Sequence, residues 1–560
     1  MIEMYREKQK ATARLEGFAY RRPGAGADRF RDALALFVAA SFWAGFSGCG
    51  GGGHSGTGKT MTSIDVPAGP EPPGDQPGFP FAEHLNQFRI TAGDIRFREL
   101  FVIGDELFEA RFNTLDGVGA LQLPDGTALP GRFSRAPPGG GRFTGPNAQS
   151  CNACHNTPFG TSAGEPSANV LQDPSRTGTA PFNTRNTTSL FGAGLLQRLA
   201  EEMTDDLLTI RAEAATAAEP GGPSVTRQLS AKGVSFGSIT ATRDADGNVR
   251  FNSSAVEGVS RDLLVRPFGW KGDTPSLRAF CRDAALNELG MEAEELVAKD
   301  GSGQADLDGD GVEGELSTGD VTAITIYVAA QESPTTLESM ARRNLLPPPS
   351  SEFASAARRG RELFSQIGCD GCHIPELRIV DPVFEEPTLR GGGRYLDDEI
   401  DPETSSLDPA QPFRFHLGRE GDFPRPEPHP AGGLRVALLG DLKRHNMGSH
   451  LADAQEQLVV NADGSQAVLE ATPFTVGKSV FLTAELWGVA STGPWLHDGR
   501  AGTLEEAILL HGVNEPEPEG SPGRSEAQEE REAFAALSST DRESVVTFLK
   551  SLILFEKKEE

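Results

Sequence analysis

Positive charge is scarce in this chain of 560 residues, where Lys and Arg number 52 against 80 Asp and Glu, a net charge of −28. Such a deficit disfavours nucleic acid and anionic lipid as partners, because both are held by neutralising phosphates. Apolar residues are also few, at 37%, and beyond residue 48 no apolar run is long enough to cross a bilayer. Cysteine is sparse too. Six cysteines are too few to staple an exported chain of this length. What is plentiful is glycine and proline, 65 and 39 residues, which imply long loops between modest cores. The length suits two or three domains.

The amino-terminal region divides into a signal and a tether. Residues 33–48, ALALFVAASFWAGFSG, form an apolar run that follows Arg21, Arg22, Arg29 and Arg31 and ends in small residues before Cys49. Basic region, apolar core and small-residue exit read as a secretory signal over 1–48. The local FSGC resembles a lipobox, with Cys49 as the lipidated first residue. Residues 53–60, GHSGTGKT, match the phosphate-binding loop pattern. That pattern works only as the turn between a strand and a helix. Here it lies between a glycine run and a proline-rich stretch, so residues 49–88 read as a flexible tether with no nucleotide site.

The informative cysteines come as two pairs, CNACH (Cys151, Cys154, His155) and CDGCH (Cys369, Cys372, His373). The C-x-x-C-H pattern attaches c-type haem. Two thiols three residues apart reach the two vinyl groups on one porphyrin edge, and the adjacent imidazole projects to the iron as proximal ligand. A thioredoxin-like pair would not call for the histidine, and zinc motifs usually pair more closely along the chain. Cys281, alone in SLRAFCRDAAL, reads as a buried thiol. The apolar spacing before Cys369 predicts a helix capped by serine, and SSTDRESVVTFLKSLILF predicts a terminal helix with Thr540 and Glu543 as a capping box. The LLPPPSS stretch at 345–351 separates two modules, 89–346 and 347–560.

Further segments carry a resemblance: RGRELFSQIGCDGCHIPEL, RHNMGSHLAD, FGAGLLQRLAEE, FGWKGDTPSLRAFCRDAALNELGM and ELWGVASTGPWLHDGRAGTLEEAILLHG. Together they resemble the di-haem oxidoreductase family, related to bacterial di-haem cytochrome c peroxidases and the methylamine-utilisation di-haem enzyme. The resemblance implies a mainly α fold of two cytochrome c-like domains with long loops and irregular insertions, each holding one covalently bound haem c. It implies that the haem on His373 takes electrons from a small donor protein of the cytochrome c or cupredoxin type. The haem on His155 would pass them to a small oxidant such as peroxide. His511 occupies the place of the second axial ligand of the carboxy-terminal haem, with Met447 as the competing ligand and a helix-end histidine as the plain alternative. His497 reads as a propionate-binding or supporting group. For the first haem His84 and Met203 are the candidate distal ligands, and an open iron is the reading that peroxidase chemistry favours. Gln197 stands where family members carry a glutamate, so Glu201 and Glu202 are the substitute acid/base candidates. Trp270 and Trp487 are candidate electron relays, with core packing as the alternative.

One further cation site is suggested. DLDGDGVEGEL sets Asp306, Asp308 and Asp310 at alternate positions before Gly311, as in the opening of a calcium loop. Ser317 stands where the bidentate glutamate belongs, leaving Glu313 or Glu315 to serve. The whole chain therefore reads as an enzyme on the periplasmic side of the cell envelope, anchored through Cys49. The alternatives are a non-catalytic electron-transfer protein and a haem-based redox sensor.

Overall fold

A glycine in the middle of an amphipathic helix marks a place where another backbone comes close, and two such glycines organise this fold. The computed structural model describes residues 84–118, 148–164, 183–297, 306, 311–393, 395, 407–421, 423–454 and 474–555, with strand segments at 134–135, 143–144, 170–171 and 457–459. The signal, Cys49, the phosphate-loop match, Asp308 and Asp310 lie outside these residues. Residues 76–560 hold together as one unit.

Helices α1 (Gln87–Thr91) and α2 (Phe97–Glu109) lead towards the first cysteine pair. Helix α2 crosses α5 (Thr318–Ala329), every residue of which is buried. At the crossing a β-carbon on Gly104 would overlap the carbonyl of Ala323, so only glycine admits this approach. The construction recurs in the second half. Helix α6 (Ser351–Gln366) leads to Cys369 and crosses α9 (Ser539–Lys550), and a β-carbon on Gly360 would overlap the carbonyl of Ser544. Serine caps start the later helix of each pair. Ser317 and Asp320 form a capping box on α5, and Ser538 accepts from the Asp541 N–H on α9. Instead of the capping box expected at Thr540 and Glu543, the helix starts two residues earlier with a cap by Ser538 alone.

Between these helix pairs the chain is not mainly α. The long helix α3 (Ala193–Ala217) is covered by an antiparallel sheet of β1 (Val225–Ala231), β2 (Val234–Arg243) and β3 (Val249–Asn252). Ala214 and Ala218 pack on Ala241 there, with Val225, Val249 and Phe251 around them. Lys232 and Gly233, both at positive φ, make the two-residue turn between β1 and β2, the turn whose twist suits a hairpin. In the second half, β4 (Leu377–Ile379) pairs with β7 (Leu434–Val436), β5 (Val383–Glu386) with β6 (Phe413–His416), and β8 (Arg444–Asn446) with β9 (Val480–Leu482). Among the described residues the structure is thus mixed, 35% helix and 15% strand, which corrects the mainly α expectation. The helices that flank the cysteine motifs are as expected, but the insertions between them are antiparallel strands. Residues 84–88, the end of the stretch read as tether, are packed: Leu85 and Gln87 are buried, and His84 bonds Asp320.

Candidate haem sites

Each C-x-x-C-H motif folds as a single 3-10 turn, Cys151–Ala153 in the first half and Cys369–Gly371 in the second. The histidine N–H closes the turn on the first cysteine carbonyl, 3.0 Å in both. The four cysteines are free thiols. Burial pushes Cys151 up to about 12, Cys154 to about 11 and Cys369 to about 12. The histidines are oriented alike. His155 Nδ1 lies 3.0 Å from the Ser162 carbonyl and His373 Nδ1 lies 3.0 Å from that of Leu439. With Nδ1 donating to backbone, Nε2 is left as the ligating nitrogen. Burial lowers the pKa of both rings, His373 to about 4, which keeps the imidazole neutral as a metal ligand requires. Even the flanking aromatics repeat: Phe108 lies 6.0 Å from His155 at 52°, and Phe364 lies 6.2 Å from His373 at 52°.

The first site opens on a cavity of about 320 Å³. Phe108, Phe112, Phe280 and Leu190 give it apolar walls beside His155 and both cysteines. Its polar side holds Arg185, Asn186, Thr187 and Lys271. Asn186 Oδ1 and Thr187 Oγ1 are buried there without a hydrogen-bond partner. A buried polar atom left unpaired costs about 1–3 kcal/mol, so two in one cavity mark a place shaped for a group with a polar edge. An apolar slot with a polar margin, two free thiols and a neutral imidazole fits a haem.

The second site sits in the core built by α6 and α9. Phe364, Leu439, Leu504, Phe534 and Val545 form that core, with Cys369 and Trp495 packed against it. The ring of His511 faces that of His373 at 6.3 Å between centroids. Its Nδ1 bonds the Ala507 carbonyl at 2.8 Å, at the end of α7 (Leu504–Leu509). The two rings are tilted by 56°, which brings both histidines to one site. Met447 is half-buried after β8 and bonds through its N–H to Ser479. Cys372, Asp441 and His445 also lie with donor atoms within 4.8 Å of one another. That cluster reads as an ion pair rather than a metal site, since His445 bridges Asp441 at 2.9 Å and Glu526 at 2.8 Å. Although burial alone would lower it, the hydrogen bonds His445 makes to Asp441, Cys372 and Glu526 raise the imidazole to about 11.

The acid/base candidates read from the sequence are not in the first cavity. Gln197 is fully buried on α3, donating to Glu201 and accepting from the Leu277 N–H. Glu201 pairs with Arg198, and Glu202 accepts from the N–H groups of Val380 and Asp381 and from Lys232. They hold α3 to the chain around it. His84 is engaged by Asp320 at 2.7 Å and Met203 is buried in α3, and neither lines the cavity. Trp270 does line it, donating from Nε1 to the Asn186 carbonyl at 2.8 Å. Cys281 lines it as well. The carboxylates present there are Asp273, Asp283 and Glu288, and burial raises the pKa of Asp273. Asp273 lies three residues after Trp270 in a segment already singled out, yet its spacing carried no sign of the cavity. His497 is buried, stacked on Phe481 at 4.2 Å and 3.5 Å from Asp453. In the proposed calcium loop, Asp306 accepts from the Gly311 N–H at 3.0 Å, while Ser317 is spent as a helix cap and Glu315 accepts from the Glu292 N–H.

No curated protein matches the chain. Among solved structures it is similar to one titled "Crystal structure of a MauG-like protein associated with microbial copper homeostasis", at 15% identity over 56% of this chain and 78% of that one, with a TM-score of 0.23. Residues 432–552, which span His511, Trp495 and helices α7 and α9, match the family described as "Di-haem oxidoreductase, putative peroxidase". Through this carboxy-terminal segment the chain is similar to the di-haem oxidoreductase family.

Proposed function

We propose that this chain is an exported di-haem c-type oxidoreductase that takes electrons from a donor protein at the His373 site and uses them at the His155 site to reduce peroxide or a similar small oxidant. The observation that carries this reading is the asymmetry of the two sites. The His373 site has a second imidazole, His511, across from it at 6.3 Å. Among the described residues lining the first cavity, His155 is the one histidine and there is no methionine. Haems held by Cys151, Cys154 and His155 and by Cys369, Cys372 and His373 would supply one-electron redox chemistry at the two sites.

The chain's own residues then do three things. The Ser162 and Leu439 carbonyls fix the tautomer and direction of the two proximal imidazoles. Phe108, Phe112 and Phe280 limit water around the first site. Asp273, whose proton affinity is raised by burial, can hold a proton at its carboxyl and deliver it to an oxygen of the oxidant, the acid/base task first assigned to Gln197, Glu201 and Glu202. The net charge of −28 supports a basic redox protein as donor. Covalent attachment of both haems, export and anchoring through Cys49, and calcium at Asp306 complete the proposal.

Ferric-state EPR of the matured protein tests it. One high-spin and one low-spin signal are expected, with two haems retained per chain after acid–acetone extraction, and peroxide consumption with a reduced cytochrome as donor. Two low-spin signals without peroxide consumption would make the chain an electron carrier instead.

A further inference from the structure

The glycine crossing ahead of the first haem motif brings a tyrosine to the loop that holds its histidine. At Gly104 a β-carbon would overlap the Ala323 carbonyl and crowd the β-carbon of Tyr327. Tyr327 is thereby buried between Phe101 and Phe108, its ring 5.1 Å and 5.4 Å from theirs, and Phe108 is the ring beside His155. The Tyr327 hydroxyl lies 2.7 Å from Thr161 Oγ1, and both residues are buried. Thr161 precedes Ser162, whose carbonyl accepts from His155 Nδ1 at 3.0 Å. The φ of Thr161 is 60°, a left-handed conformation that a β-branched residue keeps only where its neighbours enforce it. Burial and then the charge of half-buried Asp105 push the Tyr327 phenol well above its usual range, and Asp105 accepts its hydrogen bond. The phenol oxygen is left to accept from Thr161.

The second half of the chain supplies the comparison. There α6 meets α9 at Gly360 and Ser544, and Phe364 follows Gly360 by one turn as Phe108 follows Gly104. One turn after Ser544 comes Phe548, in the place that Tyr327 takes one turn after Ala323. The ring pairs match in spacing, Phe364 to Phe548 at 5.5 Å and Phe108 to Tyr327 at 5.4 Å. They differ by the hydroxyl. The carbonyl that accepts from His373 belongs to Leu439, and backbone bonds fix it on either side. The Gly440 N–H donates to the Ile374 carbonyl and the Leu486 N–H to that of Leu438, both at 3.1 Å. In the first half the Thr161 carbonyl accepts from the Leu190 N–H at 3.2 Å, and the bond to Tyr327 pins the side chain.

We propose that Tyr327, anchored by Asp105, is a positioning residue for the first haem. Through Thr161 it aims the Ser162 carbonyl at His155 Nδ1 and so sets the basicity of that imidazole, whereas Phe548 brings no hydroxyl to the second site. The inference rests on the two-haem reading and adds to it a means of holding the two sites at different potentials. A firmer bond at Nδ1 makes the imidazole a stronger donor, which favours ferric iron.

The test uses the full protein carrying both haems. The readouts are the midpoint potential of each haem, the ferrous iron–histidine stretching frequency and haem content. Tyr327→Phe keeps the ring and removes the hydroxyl. It is expected to raise the potential of the His155 haem by about 59 mV, the one-electron value of a roughly tenfold change. Its iron–histidine frequency should fall, and the His373 haem should not move. Thr161→Val should do the same, and Thr161→Ser, which keeps the hydroxyl, should stay near the wild type. The double variant Tyr327→Phe/Thr161→Val should shift no further than either change alone, as the two ends of one bond require. Unchanged potential and frequency in Tyr327→Phe, shifts that add in the double variant, or equal shifts at both haems overturn the assignment while leaving the two-haem reading intact. A wild-type chain carrying fewer than two haems overturns that reading, and the assignment with it.

Discussion

His373 and His511 each spend Nδ1 on a backbone carbonyl and present their rings to one another from elements far apart in the chain. If they share an iron, His511→Ala should convert the low-spin signal of one haem largely to high-spin. His511→Met should keep it low-spin and raise its potential, since a thioether donates less to ferric iron. Met447→Ala should leave both spin states alone. EPR of the three variants checks this, and a silent His511→Ala beside a high-spin Met447→Ala would reverse the assignment. At the first site, Asp273→Asn should lower peroxide turnover by about 10² or more with haem content unchanged. Glu201→Gln, by contrast, should act on stability, because Glu201 is tied to Arg198 and Gln197 and does not line the cavity. Steady-state turnover beside a thermal melt separates the two effects.

At the scale of elements, both haem motifs are launched by a helix that crosses a later helix through a glycine. The contact at Gly360 is with the backbone of Ser544, which cannot rotate away as a side chain could. Gly360→Ala should therefore destabilise the α6–α9 pair by about 3 kcal/mol or more, at the upper end of overpacking costs. The second core holds Cys369 and Leu439, so the haem at His373 should loosen first. Denaturant unfolding followed separately at the two haem absorbances checks that order, and simultaneous release would argue against it. Losing the cap at Ser538 is milder. Ser538→Ala should cost about 1 kcal/mol.

Across the whole molecule, residues of the two halves meet at Asp453. Arg185 holds its carboxylate bidentately at 2.7 Å and 2.7 Å, and Lys271 reaches it at 3.1 Å while donating to the carbonyls of Gly477, Lys478 and Val480. Asp453→Ala leaves two buried cations short of their anion and should cost about 3–5 kcal/mol. Acid acts on the same cluster. Burial depresses His497 to about 4 against the usual 6.5, with Asp498 and Asp453 opposing that shift. The unfolded chain therefore takes up the proton first, and stability falls as pH drops from about 6.5 towards 4. A shift of this size is worth on the order of 3 kcal/mol. For Asp453 burial would raise the pKa, but the bonds and charges of Arg185 and Lys271 hold it below the usual value. Its stabilisation persists above the unfolded carboxylate value and is lost only at more acid pH. Melting temperatures between pH 7 and 4 should therefore fall in the wild type and less steeply in His497→Leu.

By itself the sequence determined what is local. Two cysteines and a histidine within one turn are complete as a haem motif wherever the turn is placed, and the helices before Cys369 and at the end of the chain declare themselves by apolar spacing and serine caps. The alternation of Val225–Ala231 and Val234–Arg243 around Lys232–Gly233 was legible as a hairpin too. That hairpin is part of what makes the fold mixed rather than mainly α. Only the tertiary structure decided which residues meet. Helical register places Gln197, Glu201 and Glu202 on one stretch of α3, but which side of that helix the cavity lies on depends on packing against Arg198, Leu277 and Asp381, all set by other segments. Asp273 enters the cavity, His511 comes to His373 and Asn186 joins Pro494 through contacts between residues distant in the chain. Such contacts follow from the burial of whole elements against one another, a property that no window of sequence contains.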